Sequence, residues 1–253
     1  MLDTPLAARR RLARRLLAIP LVAASNPWWL RAVSASPVVR APKVLGHAEE
    51  GFALDAEESA LGFRYSVVGL GELSARFRRF RGMIELREHP ADKGAPAQVH
   101  ANVSVLIAVD SVDTGNPLLD RIVMGSSLFD ALRFPEAMFV VRQAPLPLDF
   151  IQAALVPGGA RPPEHAPSLL LEGSLKIRDQ DRKVVLSMAS LSIATRDRVE
   201  DTGRRTKPTS SLELRAVAQT RISRSAFGVA GFAALVRDPI VIDLQIAAHA
   251  RRP

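Results

Sequence analysis

From Gly51 onward the chain alternates apolar and polar residues with a period of two, the pattern of strands that bury one face. Leu61, Phe63, Tyr65 and Val67 fall on one side, with Gly62, Arg64 and Ser66 on the other. Val99, Ala101, Val103, Val105, Ile107 and Val109 repeat the pattern opposite His100, Asn102 and Ser104. Leu169, Leu171, Leu175 and Ile177 continue it against Glu172, Ser174 and Lys176. Val184, Leu186 and Met188 follow, then Leu212, Leu214, Ala216 and Ala218, and last Ile240, Ile242, Leu244 and Ile246. With residues 75–87 and 136–142, the alternation predicts eight or nine strands. One apolar and one polar face per strand is what a closed antiparallel barrel needs.

Three stretches interrupt this rhythm. Residues 116–134 carry Pro117, the Leu118-Leu119 pair and Leu128-Phe129-Asp130, which predicts one or two short helical turns. Residues 144–167 hold six Pro and the Gly158-Gly159 pair around an apolar run from Phe150 to Leu155. A connection that long is commonly functional. A lid over the barrel mouth and a cover for an ordinary core edge are both open readings. Residues 196–210 are polar, with Gly203 and Pro208, and read as a solvated loop.

Composition narrows the chemistry. The 253 residues allow one large β domain or two small ones, and 47% hydrophobic content is enough for a core. The absence of Cys excludes a disulfide framework, thiolate zinc, iron–sulfur ligation and a Cys nucleophile. The net charge of +8 is concentrated in the head of the chain, where Arg9, Arg10, Arg11, Arg14, Arg15 and Arg31 face a single acid, Asp3. The body has one Tyr and no Trp, so it lacks the basic, aromatic stripe of a nucleic-acid binder, and none is expected as a partner.

Residues 1–37 read as a signal peptide or an amphipathic N-terminal helix, ahead of a barrel domain over 48–250. On the first reading, Leu16 to Ala24 is the short apolar region and the protein is periplasmic or secreted. That stretch is too short to span a bilayer. On the second, the protein is cytoplasmic and membrane-associated, with Trp28-Trp29 at the lipid interface and transient contact with the membrane surface.

Catalytic signatures are missing. The His residues at 47, 89, 100, 165 and 249 show no metal-binding spacing, so neither a metal site nor a catalytic residue is assigned. Gly125-Ser126-Ser127 reads as a helix cap, Gly69-Leu70-Gly71 as a turn, and Asp110 and Asp113 as partners of turn backbone ahead of Thr114-Gly115.

Read in order, several motifs resemble the YceI-like, polyisoprenoid-binding family. They begin with Phe52-Ala53-Leu54-Asp55 followed by Ser59, Gly62 and Phe63, then Arg76-Phe77-Arg78-Arg79-Phe80-Arg81-Gly82. The central one is Asp110-Ser111-Val112-Asp113-Thr114-Gly115-Asn116, with Asp120, Leu128-Phe129-Asp130, Phe134-Pro135 and Phe139 after it. Gly173-Ser174-Leu175-Lys176-Ile177, Ile222-Ser223-Arg224-Ser225-Ala226-Phe227-Gly228 and Asp238-Pro239-Ile240-Val241-Ile242 complete the series. The resemblance implies an all-β, lipocalin-like antiparallel barrel that binds an isoprenoid or other long-chain lipid without catalysis.

An eight-stranded barrel is either filled by side chains or holds one small ligand. Ala101, Gly173, Ala216 and Ala218 are small and leave volume, and Phe63, Phe77, Phe80, Phe129, Phe134, Phe139 and Phe227 are the candidate lining of an apolar tunnel. The alternatives are a filled barrel acting as a stress or interaction module, and an enzyme. The oligomeric state is not legible.

Overall fold

A computed structural model describes residues 50–89, 98–156, 169–201 and 206–250. The head, residues 1–37, and residues 157–168 of the long connection lie outside the described residues. The elements are β1 (Glu50–Leu54), β2 (Ala60–Val67), β3 (Gly71–Phe77), β4 (Phe80–His89), β5 (Gln98–Ala108), β6 (Val112–Asp113) and α1 (Pro117–Met124). They continue with β7 (Glu136–Leu146), α2 (Leu148–Ala154), β8 (Leu169–Ile177), β9 (Gln180–Asp201), β10 (Thr206–Ser223) and β11 (Pro239–Ala250).

The strands close into an eight-membered antiparallel ring in the order β1-β4-β5-β7-β8-β9-β10-β11, with β11 returning to β1. Lower on the same wall β11 pairs with β2, and β2 with β3. Thus β1 and β2 act as one interrupted strand, as do β3 and β4, which is why the expected single strand over 75–87 is two.

The first interruption has a local cause. Asp55 Oδ1 accepts the N–H groups of Glu57 and Glu58 at 2.9 and 3.1 Å, drawing the chain into a turn. Ser59 then rejoins the sheet by donating its hydroxyl to the Ala247 carbonyl at 3.0 Å and accepting the Ala247 N–H at 2.9 Å. The detour shifts the inward positions from even (Phe52, Leu54) to odd (Leu61, Phe63). At the second interruption, the buried Ser111 accepts the Arg79 N–H at 3.0 Å and so ties β3–β4 to the end of β5.

The expected loop over 196–210 is instead the tip of the β9–β10 hairpin, with Asp197 opposite Ser210 and Asp201 opposite Thr206. The stretch is polar almost throughout, so alternation cannot reveal a strand there.

Each barrel end is covered. At one, α2 packs on β5 and β9, with Ile151 and Ala154 fully buried in the core. At the other sit α1 and two loops, 125–134 and 224–238. Asn116 caps α1 by accepting the Leu118 N–H at 2.9 Å, and Pro117 occupies the first turn, where its missing donor costs nothing. Gly125 terminates the helix, in keeping with its expected capping position.

Candidate functional site

The barrel interior is not filled. Ile84, Val103, Ala216, Ile242, Leu244 and Ile246 all point inward, yet each is only half-buried. The surface they keep faces a cavity of about 160 Å³. Among the described residues its wall is aliphatic and aromatic, with Thr220 contributing the one hydroxyl and no side chain able to titrate. A space with this lining excludes water in favour of an apolar occupant.

Of the seven candidate phenylalanines, Phe63, Phe77, Phe129 and Phe139 lie on the cavity wall. The first three form a cluster, with ring centroids 5.6 Å apart for Phe63–Phe77 and 5.9 Å for Phe77–Phe129. The other three are elsewhere. Phe80 is buried in the core where β4 begins and is not part of the cavity wall. Phe227 is buried in a single 3-10 turn, Ser225–Phe227, as part of the end plug. Phe134 is half-buried, with the guanidinium carbons of Arg133 and Arg178 at 5.2 and 5.5 Å from its ring centre. Those contacts make it a cation–π anchor for the 125–134 loop.

Among the small residues, Ala101, Ala216 and Ala218 leave space as expected. Gly173 does not, because the Phe139 ring fills the volume beside it. Most of the wall is plain aliphatic side chains, such as Leu171, Val184 and Ile222, which the sequence marks as inward but not as a site. Their signal is the same two-residue period that marks any core strand.

The plug beyond Phe129 is organised by Arg224, which is buried. Its guanidinium donates to the carbonyls of Val229 at 2.5 Å, Val236 at 2.7 Å, Gly231 at 2.8 Å and Arg237 at 3.2 Å. One cation therefore folds the 229–237 loop around itself. Asp238 follows it, accepting the Ser225 N–H at 2.9 Å, and hydrogen bonds from Ser223 and Ser225 hold its carboxyl below the usual range.

Several ion pairs brace the chain breaks. Asp113 accepts Arg76 at 3.0 Å and Arg78 at 2.8 Å, and its other oxygen accepts the Gly115 N–H at 3.0 Å. Burial would raise its pKa, but Arg78, the Gly115 N–H and Arg76 together hold it below the ordinary value. Near the β1–β2 interruption, ligand-type atoms of Asp55, Glu58 and His249 lie within 4.8 Å of one another. Those carboxylates are engaged: Arg196 and Arg215 bind Glu58, and His249 Nε2 lies 3.2 Å from Asp55.

A model of the YceI-like domain matches residues 52–248. Similar solved structures include Burkholderia cenocepacia BcnA, at 18% identity over 77% of this chain and 99% of that one, with a TM-score of 0.48. A polyisoprenoid binding domain from Saccharophagus degradans, implicated in plant cell wall breakdown, aligns at 17% identity over 79% of this chain and 98% of its own, TM-score 0.51. A Campylobacter jejuni YCEI protein aligns at 14% identity over 70% and 85%, TM-score 0.42. A search of curated proteins found no match. The Saccharophagus domain shares the fold.

Proposed function

The chain belongs to the YceI-like family, and from that membership we propose that it binds a polyisoprenoid or similar long-chain lipid inside its barrel, as a carrier, store or sensor and not as an enzyme. The observation that carries this reading is the apolar cavity, with no titratable side chain on its wall among the described residues. Each methylene moved from water into such a space contributes about 0.8 kcal/mol, so a few isoprene units supply the driving force without a charged partner. The single hydroxyl of Thr220 is too little to hold a charged head group, which would stay at a barrel end in water. At about 160 Å³ the cavity takes a short apolar segment as it stands. Met188 on the wall has the rotational freedom to yield to a longer tail.

We place the protein outside the cytoplasm, on the order of Arg-rich, apolar and small residues in its head. No helix among the described residues is long and apolar enough to cross a membrane.

Mass spectrometry of organic extracts from the purified native protein tests the ligand. Near-stoichiometric isoprenoid is the expected result. An empty extract, together with failure to take up a fluorescent isoprenoid analogue, would overturn the reading in favour of a barrel that acts through its surface.

A further inference from the structure

The barrel end built from α1 and the 125–134 and 224–238 loops has a surface unlike an ordinary set of turns. Gly228 to Val236 runs for nine residues without one polar side chain, and the β2–β3 turn, Val67-Val68-Gly69-Leu70-Gly71, is equally apolar. Consecutive exposed apolar residues are a liability in water unless they serve a partner. In the two loops Val68, Leu70, Phe232 and Leu235 are all exposed, Leu70 at 72%. Phe232 is held at φ 57°, a left-handed conformation costly for so bulky a residue.

These segments form one surface. The Val68 N–H donates to the Leu235 carbonyl at 2.8 Å, and Val67 bridges to Val236. The Gly231 N–H donates to the Ser127 carbonyl at 3.0 Å, joining the tip to the chain that leaves α1. A side chain at position 231 would collide with that carbonyl, so the contact depends on glycine. The surface continues over α1, which buries no residue and exposes Leu118 and Ile122 one turn apart. Leu132, at 99% exposure, extends it on the 125–134 loop.

Charge identifies the occupant. Arg121 on α1 and Arg237 beside the tip are exposed, and among the described residues neither forms an ion pair. Three acids of this end are turned to internal use, and Glu72 beside the β2–β3 turn is paired with Arg64. Asp120 accepts from Thr114, Asp130 is buried near Arg133 and Arg178, and Asp238 caps Ser225. Convex apolar tips flanked by free arginines match a bilayer interface with anionic head groups.

We propose that this end of the barrel docks on anionic membrane, inserting the Val68–Leu70 and Phe232–Leu235 tips beside the lipid cavity. Phe129 lies both on the cavity wall and in the docking end, so bound bilayer and cavity are separated by little more than the aromatic plug. The inference rests on the lipid-binding reading for its purpose, whereas docking itself is measured apart from cavity occupancy.

The chain contains no Cys, so Leu235→Cys and Val156→Cys in the full-length protein each accept a single environment-sensitive fluorophore. Position 156 follows α2 at the opposite end, and the Arg-rich head is common to both variants. With vesicles of phosphatidylcholine and phosphatidylglycerol, the label at 235 should shift to the blue and be quenched by acyl-chain quenchers, while that at 156 should not. Adding Arg121→Gln and Arg237→Gln should weaken the 235 response about tenfold or more without altering isoprenoid uptake. No shift at 235, an equal shift at 156, or a concentration-dependent shift without vesicles would overturn the proposal, the last by making the partner a second copy. Insertion at 235 in a protein that takes up no isoprenoid would sustain docking while removing the lipid-carrier reading.

Discussion

The ring of Phe139 lies where Gly173 has no side chain: a Cβ at position 173 would come within 2.6 Å of the ring's Cε2 atom. The pair sits on the neighbouring strands β7 and β8 and fixes one side of the cavity. Gly173→Ala should force the ring inward, destabilising the barrel by about 1–3 kcal/mol through overpacking. It should also lower isoprenoid uptake. Denaturant melts and uptake titrations on the same samples check both effects. Unchanged stability and uptake would show that the ring has room to move aside.

Filling the cavity should have the opposite sign in stability and the same sign in binding. Ala216 faces the empty space on β10. Ala216→Leu adds apolar contact there without a hole to open, so the midpoint of thermal unfolding should stay level or rise, by the equivalent of about 1 kcal/mol at most. Lipid uptake should fall. A large loss of stability would mean that the site is already packed to capacity.

Arg224 is a structural cation whose guanidinium is held by four backbone carbonyls. Arg224→Ala should cost about 3 kcal/mol or more, since hydrogen bonds to a charged donor are worth roughly 1.5–3 kcal/mol each and the Val229 carbonyl would be left orphaned and buried. Arg224→Lys should recover only part of this, because an ammonium cannot reach four acceptors spread in a plane. Equilibrium unfolding of the two variants gives the comparison.

Gly115 and Gly228 have φ of +80° and +71°, and nothing lies within 4 Å of where a Cβ would sit. Their substitution by Ala therefore tests backbone conformation alone, with an expected loss of roughly 1 kcal/mol at each. Gly82 is the contrasting case, since its Cβ would meet the Ser104 carbonyl at 2.5 Å. Gly82→Ala should cost more than either, read by the same unfolding assay.

Acid should loosen the barrel at its breaks. Asp113 and Asp238 are held below the ordinary carboxylate range, Asp113 against the upward push of burial and Asp238 by hydrogen bonds from Ser223 and Ser225. A group depressed in the folded state contributes stability above its unfolded pKa and loses it as the pH falls through the folded one. Stability should thus be level near neutral pH and decline below about pH 4. Asp113→Asn should flatten part of that decline in a pH series of thermal melts.

Most of the barrel was legible because its strands bury one face only. The alternating residues from Val99 to Ile107 and from Ile240 to Ile246 reproduce the inner faces of β5 and β11. What escaped reading had no such contrast. The β9–β10 tip is polar almost throughout, so in sequence it resembles a loop. The parity change across Asp55–Ser59 depends on side chain to backbone bonds that no periodicity encodes. The site was half legible for a related reason. Phenylalanine marks apolar burial but not which apolar space, so Phe77 and Phe80, three residues apart, ended on the cavity wall and off it. Of the 144–167 connection, residues 157–167 lie outside the described residues, and the rest is the end of β7 and α2. Its α2 portion is core cover, with Ile151 fully buried and no α2 side chain on the cavity wall.

Closure of the ring has a kinetic consequence. Phe52 pairs with Ala250 and Ala53 with His249, so the final seam joins the two ends of the described chain. Every other seam of the ring joins strands much nearer to one another in sequence. Barrels dominated by distant pairings fold in milliseconds to seconds, after the cost of bringing remote segments together has been met. Until then β1 and β11 expose unpaired backbone, a template for another unfinished chain. Refolding yield should accordingly fall with protein concentration even where the finished barrel stays soluble, because the hazard belongs to the open ring alone.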